Sequence, residues 1–175
     1  RLSLVGSEMC IRDSPQGCGI ERGVQAVSLD GTNLSGLRVA MNNTATNLIT
    51  IIHENAHAVA DMRDLYGFDV GNFDIGAATC GRPDTTLFAP SAWHKMHWGW
   101  ISPTVVTKDG YYDIRRADTT GDAFLLYDPD HGTDDYFMVE NRRPTPGTYD
   151  QSVADDGLII WRVAVGRTRP MLSLI

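Results

Sequence analysis

Apolar positions through residues 24–41 fall in short runs around a turn at Asp30-Gly31-Thr32-Asn33, which reads as strand material, with Leu37–Met41 a brief apolar stretch. Asn42, Asn43 and Thr44 then offer helix-capping side chains ahead of Leu48-Ile49-Thr50-Ile51-Ile52. That run is β-branched, yet its apolar character continues through Ala56, Ala58, Val59 and Ala60, too long for an ordinary strand, so a helix is expected. A helix apolar on most sides is a buried one. His53, Glu54 and His57 would then be polar groups on a buried element, in need of partners that a metal would supply.

Further along, Gly67, Gly71, Gly76 and Gly81 punctuate a stretch that reads as a long irregular loop. Pro90–Trp100 reads as a short helix with proline near its start and Gly99 at its end. From Pro103 onward, Gly110–Arg115, Ala123–Tyr127, Tyr136–Glu140 and Leu158–Val163 alternate with Asp/Gly/Pro turns and predict an antiparallel set of strands. Strands, then helices, then strands make α+β the natural class.

Composition adds limits. A chain of 175 residues, 42% hydrophobic, is long enough for one domain with a real core. Its formal charge of -7 and the lack of any Lys/Arg cluster argue against nucleic acid and anionic membrane as partners. No apolar run approaches the roughly 18 residues that span a bilayer. Arg1–Ser14 resembles translated sequencing-adapter read-through and is expected to be a non-native flank; the tail at 166–175 has a similar look, and both are set aside. Without the electrically neutral flank and the two arginines of the tail, the charge becomes -9. Cys10 lies in the flank, and the spacing of Cys18 and Cys80 matches no zinc or redox motif.

The sharpest chemistry is His53-Glu54-Asn55-Ala56-His57, the HExxH spacing of zinc hydrolases. With five His and four Glu, a shuffled chain of this length would hold roughly 0.003 such pentads. Residues four apart share a helix face, so both imidazoles can grip one cation while Glu54 reaches its open side. Catalytic zinc sites use three protein ligands, and the third must come from elsewhere. Asp61 would lie about 6 Å further along a continuing helix, too far for its short side chain. Asp64 follows soon enough to return after a turn and is preferred; Glu140 is the alternative from a distant element. Zinc would bring a water's pKa towards neutrality, with Glu54 as general base and then acid to the leaving amine.

The neighbouring blocks suggest a family. HENAHAVADMRDLY (His53–Tyr66), Ser91-Ala92-Trp93-His94-Lys95 with Gly99-Trp100, Val139-Glu140-Asn141-Arg142, and Gly157-Leu158-Ile159-Ile160-Trp161 resemble, in matching order over roughly residues 35–163, the immune inhibitor A-like family of secreted zinc metallopeptidases. The resemblance implies a zincin-like catalytic domain fragment built on an HExxH active-site helix and followed by an antiparallel β-rich segment, spanning 15–165. It implies one catalytic Zn2+, protein or peptide substrates, and secretion. The family pattern continues HExxHxxGxxD-L-Y; here Ala60 stands at the glycine and Arg63 at the aspartate, and Asp64-Leu65-Tyr66 recovers the block one residue late. By that match Asp64 inherits the ligand role. The family's methionine after Asp-Ile is absent, since Asp74-Ile75 runs into Gly76, and Arg162 stands where histidine often follows Trp.

Other features have blander readings. His94 and His97 lack an acidic or thiol partner between them and read as a surface face beside Trp93, Trp98 and Trp100, themselves expected to be core. Asp128, Asp130, Asp134 and Asp135 offer oxygens for Ca2+, but without EF-hand spacing they read as a solvated hairpin tip. Tyr66 is expected either to pack at the helix exit or to donate to an oxyanion. The competing functions are a catalytically inactive zincin-like binding module and a zinc hydrolase of non-protein amides.

Overall fold

A computed structural model describes residues 19–22, 27–29, 32–34, 38–41, 47–66, 70–77, 86–127, 130, 133–165 and 170–174. The flank Arg1–Ser14, the three cysteines, the capping candidates Asn42–Thr44 and the acidic Asp128 lie outside them. The described residues are mixed α and β and divide into two compact units: those within Arg1–Asp64, and those within Leu65–Ala77 and Thr85–Ile175.

In the first unit, β1 (Gly19–Arg22) pairs antiparallel with β4 (Arg38–Met41), and β2 (Val27–Leu29) with β3 (Thr32–Leu34). Pairing reaches Leu29↔Thr32, so Thr32 and Asn33 of the expected turn join the strand.

Helix α1 (Leu48–Ala60) lies against β1 and β4. Its N-cap is Asn47, whose Oδ1 accepts from the Thr50 backbone at 3.0 Å and the Thr50 hydroxyl at 2.7 Å. The helix is not buried on most sides, as the sequence suggested. Ile49, Thr50, His53, Glu54 and His57 make one buried stripe, while Leu48, Ile51 and Val59 are exposed. The polar residues of the pentad therefore occupy the inward face.

The second unit holds a five-stranded sheet in the order β5 (Thr104–Val105), β6 (Phe124–Tyr127), β7 (Asp135–Arg142), β8 (Gly157–Val165), β9 (Pro170–Leu174). It is antiparallel except for the parallel β5–β6 pair, a departure from the all-antiparallel expectation. Residues 110–115, expected as a strand, are not one. Tyr111 and Tyr112 are exposed there, and the Asn141 side chain donates to the Ile114 carbonyl at 3.2 Å. Pro170–Leu174, in the tail set aside above, pairs with β8 as β9.

Strand β7 alternates strictly, so Tyr136, Met138, Glu140 and Arg142 share its buried face. Helix α2 (Ala92–His97) packs on β7, begins at Ser91 as N-cap and gives way to Gly99, whose φ is +72°. The glycine-punctuated stretch is less irregular than expected. It holds two 3₁₀ turns, Gly71–Phe73 and Ile75–Ala77, that bury Phe73, Asp74 and Ile75. Helix α3 (Ala117–Thr120) ends at Gly121, where φ is +70° and a Cβ would sit 2.9 Å from Ile101 Cγ2, so only glycine fits. Among the described residues, no helix is long and apolar enough to cross a membrane.

Candidate metal centre

Helical spacing stacks His53 over His57, with ring centroids 4.5 Å apart. What returns the chain to them is the end of the helix. Asp61 adopts the left-handed conformation (φ 51°, ψ 38°), and the backbone N–H groups of Asp61 and Met62 both donate to the Ala56 carbonyl. This pair of bonds closes a helix and reverses the chain. The Met62 carbonyl thereby lies 2.7 Å from His57 Nδ1, and three residues after the turn Asp64 presents its carboxylate to both imidazoles.

The three ligand atoms form a small triangle: His57 Nε2 to His53 Nε2 2.9 Å, His57 Nε2 to Asp64 Oδ1 3.0 Å, and His53 Nε2 to Asp64 Oδ1 3.2 Å. Tetrahedral zinc with bonds of about 2.0–2.1 Å spaces its ligand atoms roughly 3.4 Å apart, so the triangle is close to one face of that tetrahedron, slightly contracted. The donor chemistry fits as well. A carbonyl oxygen only accepts, so the 2.7 Å contact with Met62 makes His57 Nδ1 the donor and leaves the neutral ring's lone pair on Nε2. A lone pair, a second imidazole nitrogen and a carboxylate oxygen lie within 4.8 Å of one another, a set that could hold a metal ion.

Burial disfavours a charged His57, but the hydrogen bond and charge of Asp64, with smaller help from the Met62 carbonyl and the Glu54 charge, raise its pKa above 6.5. Burial also opposes a charged Asp64, and bonds from His53 and His57 outweigh it and bring the carboxyl down to about 2.

Glu54 is 1% exposed, and both its carboxylate oxygens lack a hydrogen-bond partner among the described residues. An unsatisfied buried carboxylate is costly, and it sits one residue from the first imidazole of the cluster.

Of the alternatives, Asp61 is exposed and supplies the turn. Glu140 belongs to the second unit's core, where its Oε1 accepts from Trp161 Nε1 at 2.9 Å and the Ala92 amide at 3.2 Å. Among the described residues, His53, His57 and Asp64 are the one group of three with metal-ligand convergence. Asp130, Asp134 and Asp135 make no calcium cluster there, and Asp135 pairs with Arg162 at 2.6 Å.

His94 is not on the surface as the sequence suggested. It is 1% exposed, with Nδ1 2.8 Å from Asp74 Oδ2, while His97 is exposed and stacks on Trp93. Trp93 is core at 4% exposure, Trp98 is half-buried, and Trp100 is 63% exposed. Tyr66 is half-buried at the helix exit. The Asp74–His94 pair escaped the sequence reading because twenty residues separate its members. No family model, curated protein or solved structure matches the chain.

Proposed function

We propose that this chain is part of a secreted zinc metalloendopeptidase of the immune inhibitor A-like kind, built on a zincin-like helix and acting on protein or peptide substrates. The observation that carries the reading is the convergence of His53, His57 and Asp64 beside a buried carboxylate, Glu54, that has no hydrogen-bond partner among the described residues. The family resemblance supports it. The expected glycine at residue 60 is alanine, but the left-handed turn falls at Asp61 and the aspartate at Asp64, so the three-residue spacing from turn to carboxylate is kept.

Zinc held by these three ligands supplies Lewis acidity and brings the pKa of a water towards neutrality. The chain's residues do the rest. The Met62 carbonyl fixes the His57 tautomer, so that Nε2 stays a ligand and not a donor. Glu54 takes the proton of the attacking water on its carboxylate and delivers it to the leaving amine, with no competing hydrogen bond among the described residues.

The test is zinc content followed by turnover. Purified chain should hold one zinc per molecule and cleave casein; Glu54→Gln should keep the zinc and lose activity by about 10²–10⁴-fold. Absence of stoichiometric zinc, or undiminished cleavage by Glu54→Gln, overturns the reading. Zinc without cleavage of any peptide points to the binding module, and cleavage confined to small non-peptide amides to the other hydrolase.

A further inference from the structure

Trp100 is 63% exposed, and it lines an open cavity of about 440 Å³ that lies wholly in the second unit. The residue is held in place. Its amide donates to the Lys95 carbonyl at 2.8 Å, and the Trp98 ring props its own at a centroid distance of 4.7 Å and an angle of 57°. Sites for small molecules run from about 300 to 1,000 Å³, and the cavity falls within that range. An indole left bare at its rim offers a flat apolar surface to whatever enters.

The rest of the lining comes from residues 101–104 and 113–124. Gly121 ends α3 at φ +70°, where a Cβ would stand 2.9 Å from Ile101 Cγ2, so glycine is what lets the two segments meet. Arg115 and Asp122 flank α3 and close on each other. Arg115 Nε and Nη2 donate to the two Asp122 oxygens at 2.8 and 2.9 Å, and the Arg115 amide adds a bond at 3.2 Å. This fork fixes the plane of the guanidinium while its Nη1 donors stay uncommitted among the described residues. The Asp113 carboxylate, on the same cavity, has no hydrogen bond or ion pair among the described residues, so its oxygens are free to accept.

We infer that this cavity binds an uncharged pyranose oligosaccharide, with Trp100 as the stacking platform and Asp113 and Arg115 as the groups that hold its hydroxyls. A pyranose ring presents a C–H face to an indole, and its rim of hydroxyls both donates to a carboxylate and accepts from a guanidinium. Charge selects the class of ligand. Asp113 and Asp122 oppose an anion and Arg115 opposes a cation, whereas a neutral ligand carrying donors and acceptors in equal measure meets a partner in each. The site stands independently of the metal centre, because no residue of the first unit takes part in it.

The experiment titrates the full chain calorimetrically with cellohexaose, maltohexaose, chitohexaose and mannohexaose, and in parallel with choline chloride and a casein peptide digest. At least one of the four sugars should bind saturably at one site per chain. Trp100→Ala should weaken that sugar by roughly tenfold or more, and Asp113→Asn, which removes a charged acceptor, by about tenfold. Tyr149→Ala removes an aromatic that is 71% exposed but lies off the cavity, and should bind as the parent does. Thermal melting checks that each variant is folded; Asp113 is exposed, so Asp113→Asn carries the test if Trp100→Ala does not fold. The inference is overturned if none of the four sugars binds, or if the sugar that binds is indifferent to both Trp100→Ala and Asp113→Asn. Binding of choline or of casein peptides alone, lost in Trp100→Ala, would overturn the ligand class by making the cavity a cation or peptide site. Equal loss in Tyr149→Ala would overturn it too, since the sugar would then be adhering to exposed aromatics at large.

Discussion

Asp61 and Asp64 both lie close behind the pentad, and backbone geometry separates their roles. Asp61 is exposed, with a positive φ that lets the Ala56 carbonyl collect two amides; Asp64 is half-buried against both imidazoles. Asp61→Asn keeps a residue that tolerates the left-handed region and should retain one zinc, whereas Asp64→Ala should weaken zinc by more than ~100-fold, beyond the loss typical of an outer-shell partner. The reverse ranking in a zinc titration would exchange the two roles. Asp61→Val puts a β-branched side chain where φ is 51° and should cost about 1–2 kcal/mol in denaturant unfolding, loosening the metal as the turn opens. Sequence alone reached Asp64 by excluding a continuous helix, because the i, i+4 geometry is fixed and its reach calculable. It had no access to the Met62 carbonyl on His57 or to the left-handed turn, since neither a backbone acceptor nor a φ value is written in residue type.

The two helices show how far pattern carries at the level of elements. Length and apolar continuity identified α1 against its β-branched composition, and proline and glycine bracketed α2. The sequence missed which face of α1 turns inward, because the apolar residues Leu48, Ile51 and Val59 suggested burial while the buried stripe carries Thr50, His53, Glu54 and His57. It also placed the cap too early. Asn47 is 4% exposed and satisfies Thr50 twice, so Asn47→Ala should cost about 1 kcal/mol of stability and fray the turn before His53. Thermal melts of the metal-free chain measure this; an unchanged melting temperature would show that the cap contributes nothing. The run at 110–115 failed as a strand for a related reason. Tyr, Ile and Arg fit a pleated surface, but Tyr111 and Tyr112 are exposed and, among the described residues, the segment joins the sheet only at the Arg116↔Asn141 bridge that follows it.

At the scale of the whole molecule, the acidic charge of -7 says little about which carboxylates matter, because stability depends on the few whose pKa differs between folded and unfolded chains. Asp74 is the clearest. Burial opposes its charge, but His94, the Ser91 amide and the Gly76 amide outweigh burial and hold it at about 2, below the ordinary aspartate value. Asp150 is lowered in the same way, with burial overcome by Arg142. A folded pKa below the unfolded one means the unfolded chain binds the proton more readily, so the contribution is complete above pH 4 and is lost as pH falls through about 2. For Asp74 the shift corresponds to roughly 2 kcal/mol. Urea unfolding of the chelator-treated parent and of Asp74→Asn should therefore show a stability gap that narrows by about that amount between pH 5 and pH 2. A gap that stays constant over the interval would mean that Asp74 acts through shape alone, with no part of its effect carried by the charge on its carboxylate.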